Sequence, residues 1–179
     1  MLFVSEIKTS APAQFRTPLQ EKTYRTLEEL HISFERVDTG EAITMEDCIR
    51  IEARLQMKMV KTLFLCNRQQ TAYYLFITVG NKPFSSKNFR ASLEIPRVSF
   101  APSEKMQAML GTKIGAATVF SALTDQENRV QIVFDNDVLK EMWYGCSDGT
   151  TTGYMKVSTD DIIHKFLPFT HHAVRIAEV

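Results

Sequence analysis

Apolar and polar positions along this chain change period several times, and each change marks a predicted element. Between residues 19 and 33, Tyr24, Leu27, Leu30 and Ile32 recur among charges, which predicts a surface helix. Phe34-Glu35-Arg36-Val37 reads as a short strand and Asp38-Thr39-Gly40-Glu41 as a turn. Thr44 ahead of Met45-Glu46-Asp47 is a capping pattern with acids in the first turn, so a helix is expected to run to about Leu55. Two apolar runs follow, at residues 59–66 and 71–79. The polar tetrapeptide Asn67-Arg68-Gln69-Gln70 separates them, which predicts a β-hairpin in a sheet core.

Beyond the hairpin, Gly80-Asn81-Lys82-Pro83 reads as a loop. Ser85 or Ser86 caps a short helix through Leu93, and residues 97–100 form a strand. Pro102-Ser103-Glu104 opens a helix that Gly111 ends, and Gly115-Ala116-Ala117-Thr118 is a small-residue loop. Residues 129–134 alternate as a strand, residues 135–142 read as a short helix, and Met142-Trp143-Tyr144 as core packing. Residues 145–153 form a polar turn, followed by a strand at 154–157, a helix through Leu167 capped by Ser158-Thr159-Asp160-Asp161, and a closing strand at 173–177. Residues 1–18, with Pro12 and Pro18 and no clear period, read as an N-terminal arm before one domain at 19–179. Helices and strands in this order predict an α+β domain with a mixed sheet.

At 179 residues and 44% hydrophobic, the chain suits a single core. No apolar run approaches the roughly 20 residues needed to span a bilayer, so no membrane partner is expected. The start carries an acid, Glu6, where a secretion leader carries basic residues. Cys48, Cys66 and Cys146 are odd in number and widely spaced, which fits reduced thiols in the cytoplasm rather than a disulfide framework. The net charge is zero, yet residues 54–113 hold ten basic residues against Glu94 and Glu104, a net of +8 that the rest of the chain offsets. A basic middle between acidic ends is a plausible footprint for a polyanion, and equally a set of charges solvating different faces.

The residue that stands out chemically is Lys61, an ammonium inside the apolar run Met59-Val60-Lys61-Thr62-Leu63-Phe64-Leu65-Cys66. A lysine there either snorkels from a sheet edge or stands at the floor of an anion-binding pocket. Two other segments offer to share such a pocket. The 111–120 loop lets a ligand approach its backbone, and the 145–153 turn presents Ser147, Asp148, Thr150, Thr151 and Thr152 as hydrogen-bonding groups. His31, His164, His171 and His172 lack the spacing of a zinc helix, and no P-loop, GxGxxG or GxSxG stands in the chain. Cys146 has no evident partner base, so an inert thiol is expected.

The run Lys61-Thr62-Leu63-Phe64-Leu65-Cys66-Asn67-Arg68 resembles the lysine strand of the YbaK and prolyl-tRNA editing superfamily. In the same order, Lys82-Pro83-Phe84, Val98-Ser99-Phe100-Ala101, residues 111–120, residues 129–135 and Lys165-Phe166-Leu167-Pro168 match its scheme from about Leu19 to Val179. The resemblance implies a compact domain with a curved mixed β-sheet flanked by helices. It implies a trans-acting aminoacyl-tRNA deacylase that hydrolyses the ester of a mischarged tRNA carrying alanine or another small amino acid. Neither cofactor nor metal is implied. The implied partner is the aminoacylated 3′ end of tRNA, with an aminoacyl-tRNA synthetase as a second candidate. Lys61 takes the position of the invariant lysine that holds the 3′-terminal nucleotide. Thr44, Thr62, Gly115, Ala116, Ala117, Thr118, Gly145, Ser147, Asp148 and Thr151 are the corresponding substrate-binding candidates.

The chain departs from the family at the pocket. Thr62 stands where relatives usually have Asn, and Ile114 and Val119 replace expected prolines. Ser147-Asp148 and Thr151 stand in place of a His-Pro pair and an Asn. Ser147 and Asp148 therefore predict a more polar pocket suited to a hydroxylated or charged aminoacyl group. The same departures suit an alternative, a non-catalytic aminoacyl-tRNA or small-ligand binding protein on this fold.

Overall fold

The computed structural model describes residues 1–41 and 44–179. Its elements run α1 (Pro18–Glu29), β1 (Phe34–Asp38), α2 (Met45–Leu55), β2 (Val60–Asn67), β3 (Tyr73–Val79), α3 (Ser86–Leu93), β4 (Val98–Phe100) and α4 (Ser103–Leu110). A 3-10 turn at Val119–Leu123 leads to β5 (Val130–Asp135), α5 (Asn136–Leu139), β6 (Trp143–Ser147) and β7 (Gly153–Ser158). A last helix, α6 (residues 159–169), widens to a π-turn at Ile162–Phe166 before β8 (Val174–Ala177). Side chains set the helix starts. Thr17 caps α1 by accepting from the Gln20 amide, and Thr44 with Asp47 forms the reciprocal capping box at α2.

Two sheets result. The larger has strand order β4-β2-β3-β5-β8, antiparallel through β4, β2 and β3 and parallel from β3 to β5 to β8. The smaller, β1-β7-β6, is antiparallel. A parallel bridge from Met59 to Gly145 joins the mouth of β2 to β6 and bends the two sheets into one curved surface. β3 is a continuous apolar run because both of its faces are covered. Tyr73, Leu75 and Ile77 pack with Phe134, Phe166 and Tyr144 on one side, and Tyr74 and Phe76 with Phe89 and Leu93 on the other.

Residues 3–10 of the arm expected over 1–18 lie along β1, and Pro18 already belongs to α1. Val4 bridges Thr39, Lys8 exchanges backbone hydrogen bonds with Arg36, and the Lys8 ammonium pairs with Asp38 at 2.7 Å. Burial would raise the Asp38 carboxyl, but hydrogen bonds and charge from Lys8 and Arg36 outweigh it and hold the carboxyl below its ordinary value. Among the described residues no helix is long and apolar enough to cross a membrane.

Two expected elements differ. The helix expected over 135–142 is the short α5, and the expected turn over 145–153 begins three residues late, because β6 occupies Trp143–Ser147. Of Met142-Trp143-Tyr144, only Tyr144 is core. Met142 is 73% exposed, and Trp143 is 43% exposed with Lys156 over its ring. Gly145 is required in β6, since a Cβ there would collide with the Met57 thioether and lie 2.8 Å from the Lys58 carbonyl. Gly, Cys and Ser are poor strand signals in a sequence, which hid this strand.

The loop after β3 is pinned by Lys82. Its ammonium donates to Asp135 Oδ2 at 2.6 Å, Asp137 Oδ2 at 2.8 Å and the Val179 carbonyl at 3.0 Å. Hydrogen bonds from Lys82 and Lys140, with their charges, lower the Asp137 carboxyl from 3.8 to about 2.

Two outcomes follow from this packing. Phe76, 1% exposed and 4.7 Å from the Phe89 ring centroid, is the centre of the second core. Phe76→Ala is expected to cost about 3–5 kcal/mol in urea unfolding, and a loss under about 1 kcal/mol would contradict this packing. Asp137 titrates below its unfolded value, so its contribution is complete above about pH 4 and fades as pH falls through about 2. Asp137→Asn should therefore flatten the acid limb of stability in that window, read from urea midpoints, and an unchanged limb would place the dependence elsewhere.

Candidate active site

A cavity of about 500 Å³ opens where β2 turns toward β6. Its wall draws on all three segments singled out in the sequence: Lys61 and Thr62 from β2, Ile114, Gly115 and Ala117 from the small-residue loop, and Ser147 at the end of β6. α2 adds Cys48 and the start of β7 adds Tyr154. The volume falls in the range of ligand pockets, roughly 300–1,000 Å³.

Lys61 lies in β2 opposite Thr78 and is half-buried. Its ammonium donates to the carbonyl of Lys82. No carboxylate among the described residues pairs with it, although other basic residues of the same segment are paired. Lys58 meets Glu141 at 2.7 Å, Lys113 meets Glu41 at 3.7 Å, and Lys82 meets Asp135 and Asp137. Those acids all lie outside residues 54–113, so part of the +8 excess is neutralised by the fold. Lys61 thus stands at the edge of a mostly apolar cavity with a neutral acceptor, and an ammonium so placed favours an anion.

The other predicted residues divide by position. Thr62, Gly115, Ala117 and Ser147 line the cavity with Lys61. Thr44 is at the start of α2, where its hydroxyl accepts from the Asp47 amide at 3.1 Å. Ala116 is buried beneath the loop, and Thr118 donates to the Ser147 carbonyl at 2.8 Å, tying that loop to β6. Gly145 pairs with Lys156 and bridges Met59. Thr151 donates to Glu41 at 3.3 Å.

Asp148 is 1% exposed and does not line the cavity. Its Oδ2 accepts from Tyr24 and from Gln20, each at 2.9 Å, and its Oδ1 accepts from the Thr150 hydroxyl at 2.7 Å. Burial, and then the charge and hydrogen bond of Asp148, raise the Tyr24 phenol far above its ordinary value. The carboxylate thus fastens the turn after β6 to α1. Ser147 Oγ, which does line the wall, donates to the Thr150 carbonyl at 3.0 Å and accepts from the Gly149 amide at 2.9 Å. The polarity that Ser147 and Asp148 promise in the sequence is therefore spent inside the protein.

What the cavity shows instead is apolar: Met59, Leu63, Phe64, Phe100, Met106 and Ile114. Phe100 and Ile114 are 62% and 71% exposed, and large side chains so placed at a rim are the structural sign of a binding wall. In the sequence Phe100 is only a strand residue and Ile114 a replacement for an expected proline, and their exposure shows that both face the cavity. Cys146 reaches the cavity, but burial pushes its thiol well above the usual range, so it is neutral rather than a nucleophile. The loop contributes something else. The amides of Gly115 and Ala117 have no acceptor among the described residues, whereas the Ala116 amide bonds the Lys113 carbonyl at 3.1 Å.

Comparison with known proteins agrees with this arrangement. The aminoacyl-tRNA editing domain family matches residues 39–165. The prolyl-tRNA editing protein ProX of Acetoanaerobium sticklandii is 23% identical over 136 residues, which cover 76% of this chain and 83% of ProX. A solved structure described as a candidate trans-editing enzyme for prolyl-tRNA synthetase superposes with a TM-score of 0.65 at 16% identity, over 92% of this chain and 99% of its own. A scaffold protein used in computational epitope grafting gives 0.68 at 15% identity, over 91% and 97%. These two likenesses show the fold. The family match itself runs from the turn after β1 into α6, across every segment that lines the cavity, and the chain belongs to the aminoacyl-tRNA editing domain family.

Proposed function

We propose that this protein is a trans-acting deacylase that hydrolyses the ester of a mischarged aminoacyl-tRNA, and that its cavity takes a small apolar aminoacyl group such as alanine. The observation that carries the reading is Lys61, an ammonium without a carboxylate partner among the described residues, at the wall of a mostly apolar cavity. Family membership supplies the substrate class. In this reading Lys61 holds a phosphate of the 3′-terminal nucleotide as a point charge, and the apolar wall receives the aminoacyl side chain.

The chemistry is ester hydrolysis. A water oxygen attacks the ester carbonyl and forms a tetrahedral intermediate with charge on the former carbonyl oxygen. Collapse breaks the bond to the ribose oxygen, which leaves with a proton, and the products are the free amino acid and the tRNA. Among the described residues the cavity wall offers no His, Asp or Glu. Proton transfer then falls to water and the neighbouring ribose hydroxyl, while the unpaired amides of Gly115 and Ala117 are candidates to stabilise the oxyanion. The same lack of an acid–base side chain favours the second reading, an aminoacyl-tRNA binding protein without turnover.

The amino-acid preference has a physical ceiling. An apolar wall discriminates against a hydroxyl that merely replaces a hydrogen by only about a hundredfold. Serine is therefore expected as a slower substrate, and charged side chains are expected to be excluded because Lys61 is taken by the phosphate and no other described residue of the wall would pair with them.

The test is deacylation of tRNAs mischarged with Ala, Cys, Ser, Thr and Asp, with wild type beside Lys61→Ala. The expected result is that Ala and Cys esters are cleaved fastest and Asp least. Lys61→Ala should lower kcat/KM by roughly 10- to 100-fold, the size of a lost charge-assisted hydrogen bond. Fastest cleavage of Ser or Asp esters would overturn the preference. Tight binding with no hydrolysis of any tRNA would select the binding-protein reading.

A further inference from the structure

Lys82 has a place in the site that its distance from the cavity wall conceals. Its ammonium has three N–H groups and three acceptors: Asp135 Oδ2, Asp137 Oδ2 and the Val179 carbonyl. A lysine so satisfied has no donor left for a ligand. Its backbone carbonyl, however, is the acceptor that holds the Lys61 ammonium.

The clamp that fixes this carbonyl is built from buried parts. Asp135 is 1% exposed and closes β5, where its Oδ1 also accepts from the Asp137 amide at 2.9 Å. Its Oδ2 accepts from Thr78 Oγ1 at 2.6 Å as well as from Lys82. Thr78 is 1% exposed and stands directly opposite Lys61 in the β2–β3 register. One carboxylate therefore restrains Lys61 from two directions, through the strand residue opposite it and through the loop that receives its ammonium. The loop has little slack of its own. The Lys82 amide bonds the Val79 carbonyl at 3.1 Å, and a Cβ on Gly80 would lie 2.7 Å from the Met59 carbonyl.

We propose that Lys82, held by Asp135 and Asp137, is a positioning residue that fixes where the Lys61 ammonium meets the substrate phosphate. This rests on the reading of Lys61 as the phosphate-binding group. A lysine has a long flexible stem, and a carbonyl that parks its charge at the cavity wall removes the need to order that stem when the tRNA end arrives. The ammonium bonded to that carbonyl keeps two further N–H donors for phosphate oxygens. The clamp acts on the ground state and the transition state alike, so its loss belongs in KM and affinity rather than in kcat.

The experiment is a double-mutant cycle. Lys82→Met alone would strand a buried carboxylate and could unfold the protein, so it is paired with Asp135→Asn, which still accepts from Thr78. The paired variant, Lys61→Ala and the combination of both are compared with wild type in hydrolysis of Ala-tRNA and in direct binding of that tRNA. Thermal unfolding confirms that each is folded. The expected result is a KM and Kd raised roughly tenfold by the paired variant, as for a misplaced charge-assisted hydrogen bond, with kcat within about a factor of two. In the Lys61→Ala background the same pair should change nothing further, because its only route to substrate is gone. An equal loss in both backgrounds would show a merely structural role and overturn the proposal, as would unchanged KM and Kd in a folded paired variant. If Lys61→Ala itself alters neither hydrolysis nor binding, the reading of Lys61 fails and the clamp with it. A Lys61→Ala defect without a clamp defect overturns the clamp alone.

Discussion

The close approach of β2 to β6 at Gly145 is the constraint on which the rest of this structure depends. The Met57 thioether and the Lys58 carbonyl occupy the volume that any side chain at 145 would need. Because nothing is there, Met59 can bridge Gly145 and the smaller sheet can turn onto the larger one. That turn brings the flank of β2, with Lys61 and Thr62, across from Cys146 and Ser147 and leaves an open cavity between them. The fold makes its site by joining two sheets at a corner too tight for a Cβ, instead of hollowing out a core.

Around that corner, charge is distributed unevenly. Asp148 is consumed by Tyr24, Gln20 and Thr150, and Asp135 by Lys82, Thr78 and the Asp137 amide. Buried carboxylates with this many donors are satisfied within the protein and serve as fasteners between elements. Among the described residues of the cavity wall, Lys61 is the charged group left with a neutral acceptor. In a low-dielectric surrounding, a charge whose countercharge must come from outside is a recognition element. The apolar wall beside it makes the site amphipathic in the manner an aminoacyl ester on a phosphodiester chain requires.

How much of this was legible in the sequence depended on the kind of signal. The β2–β3 hairpin was plain, because a strand covered on both faces must be apolar throughout and the polar tetrapeptide Asn67–Gln70 could only be a turn. The cap at Thr44 and the stop at Gly111 followed from local backbone chemistry. β6 was not legible, since the glycine that permits the sheet contact is also a residue that weakens strand patterns. The lysine in an apolar strand pointed to the cavity wall, and Gly115, Ala117 and Ser147 lie on that wall with it. Ser147 and Asp148 also show where such reasoning stops. Residue type announces a hydroxyl and a carboxylate, but only three-dimensional placement shows that α1 and the Thr150 backbone have already claimed them. Phe100 was missed for the reverse reason, because a hydrophobic residue in an expected strand is read as buried.

The arm along β1 has a consequence of a different kind. Sheets are vulnerable at their margins, where unpaired amides and carbonyls can recruit a strand from a neighbouring molecule. In the smaller sheet β7 is central, β6 is joined to β2, and β1 would be the open margin if Val4 and Lys8 did not bridge Thr39 and Arg36 along it. The lysine of that pairing, Lys8, also places a charge on the rim beside Asp38. Residues with little regular structure of their own thus act as a selvedge, closing the weave of the sheet so that its backbone pairs only with itself.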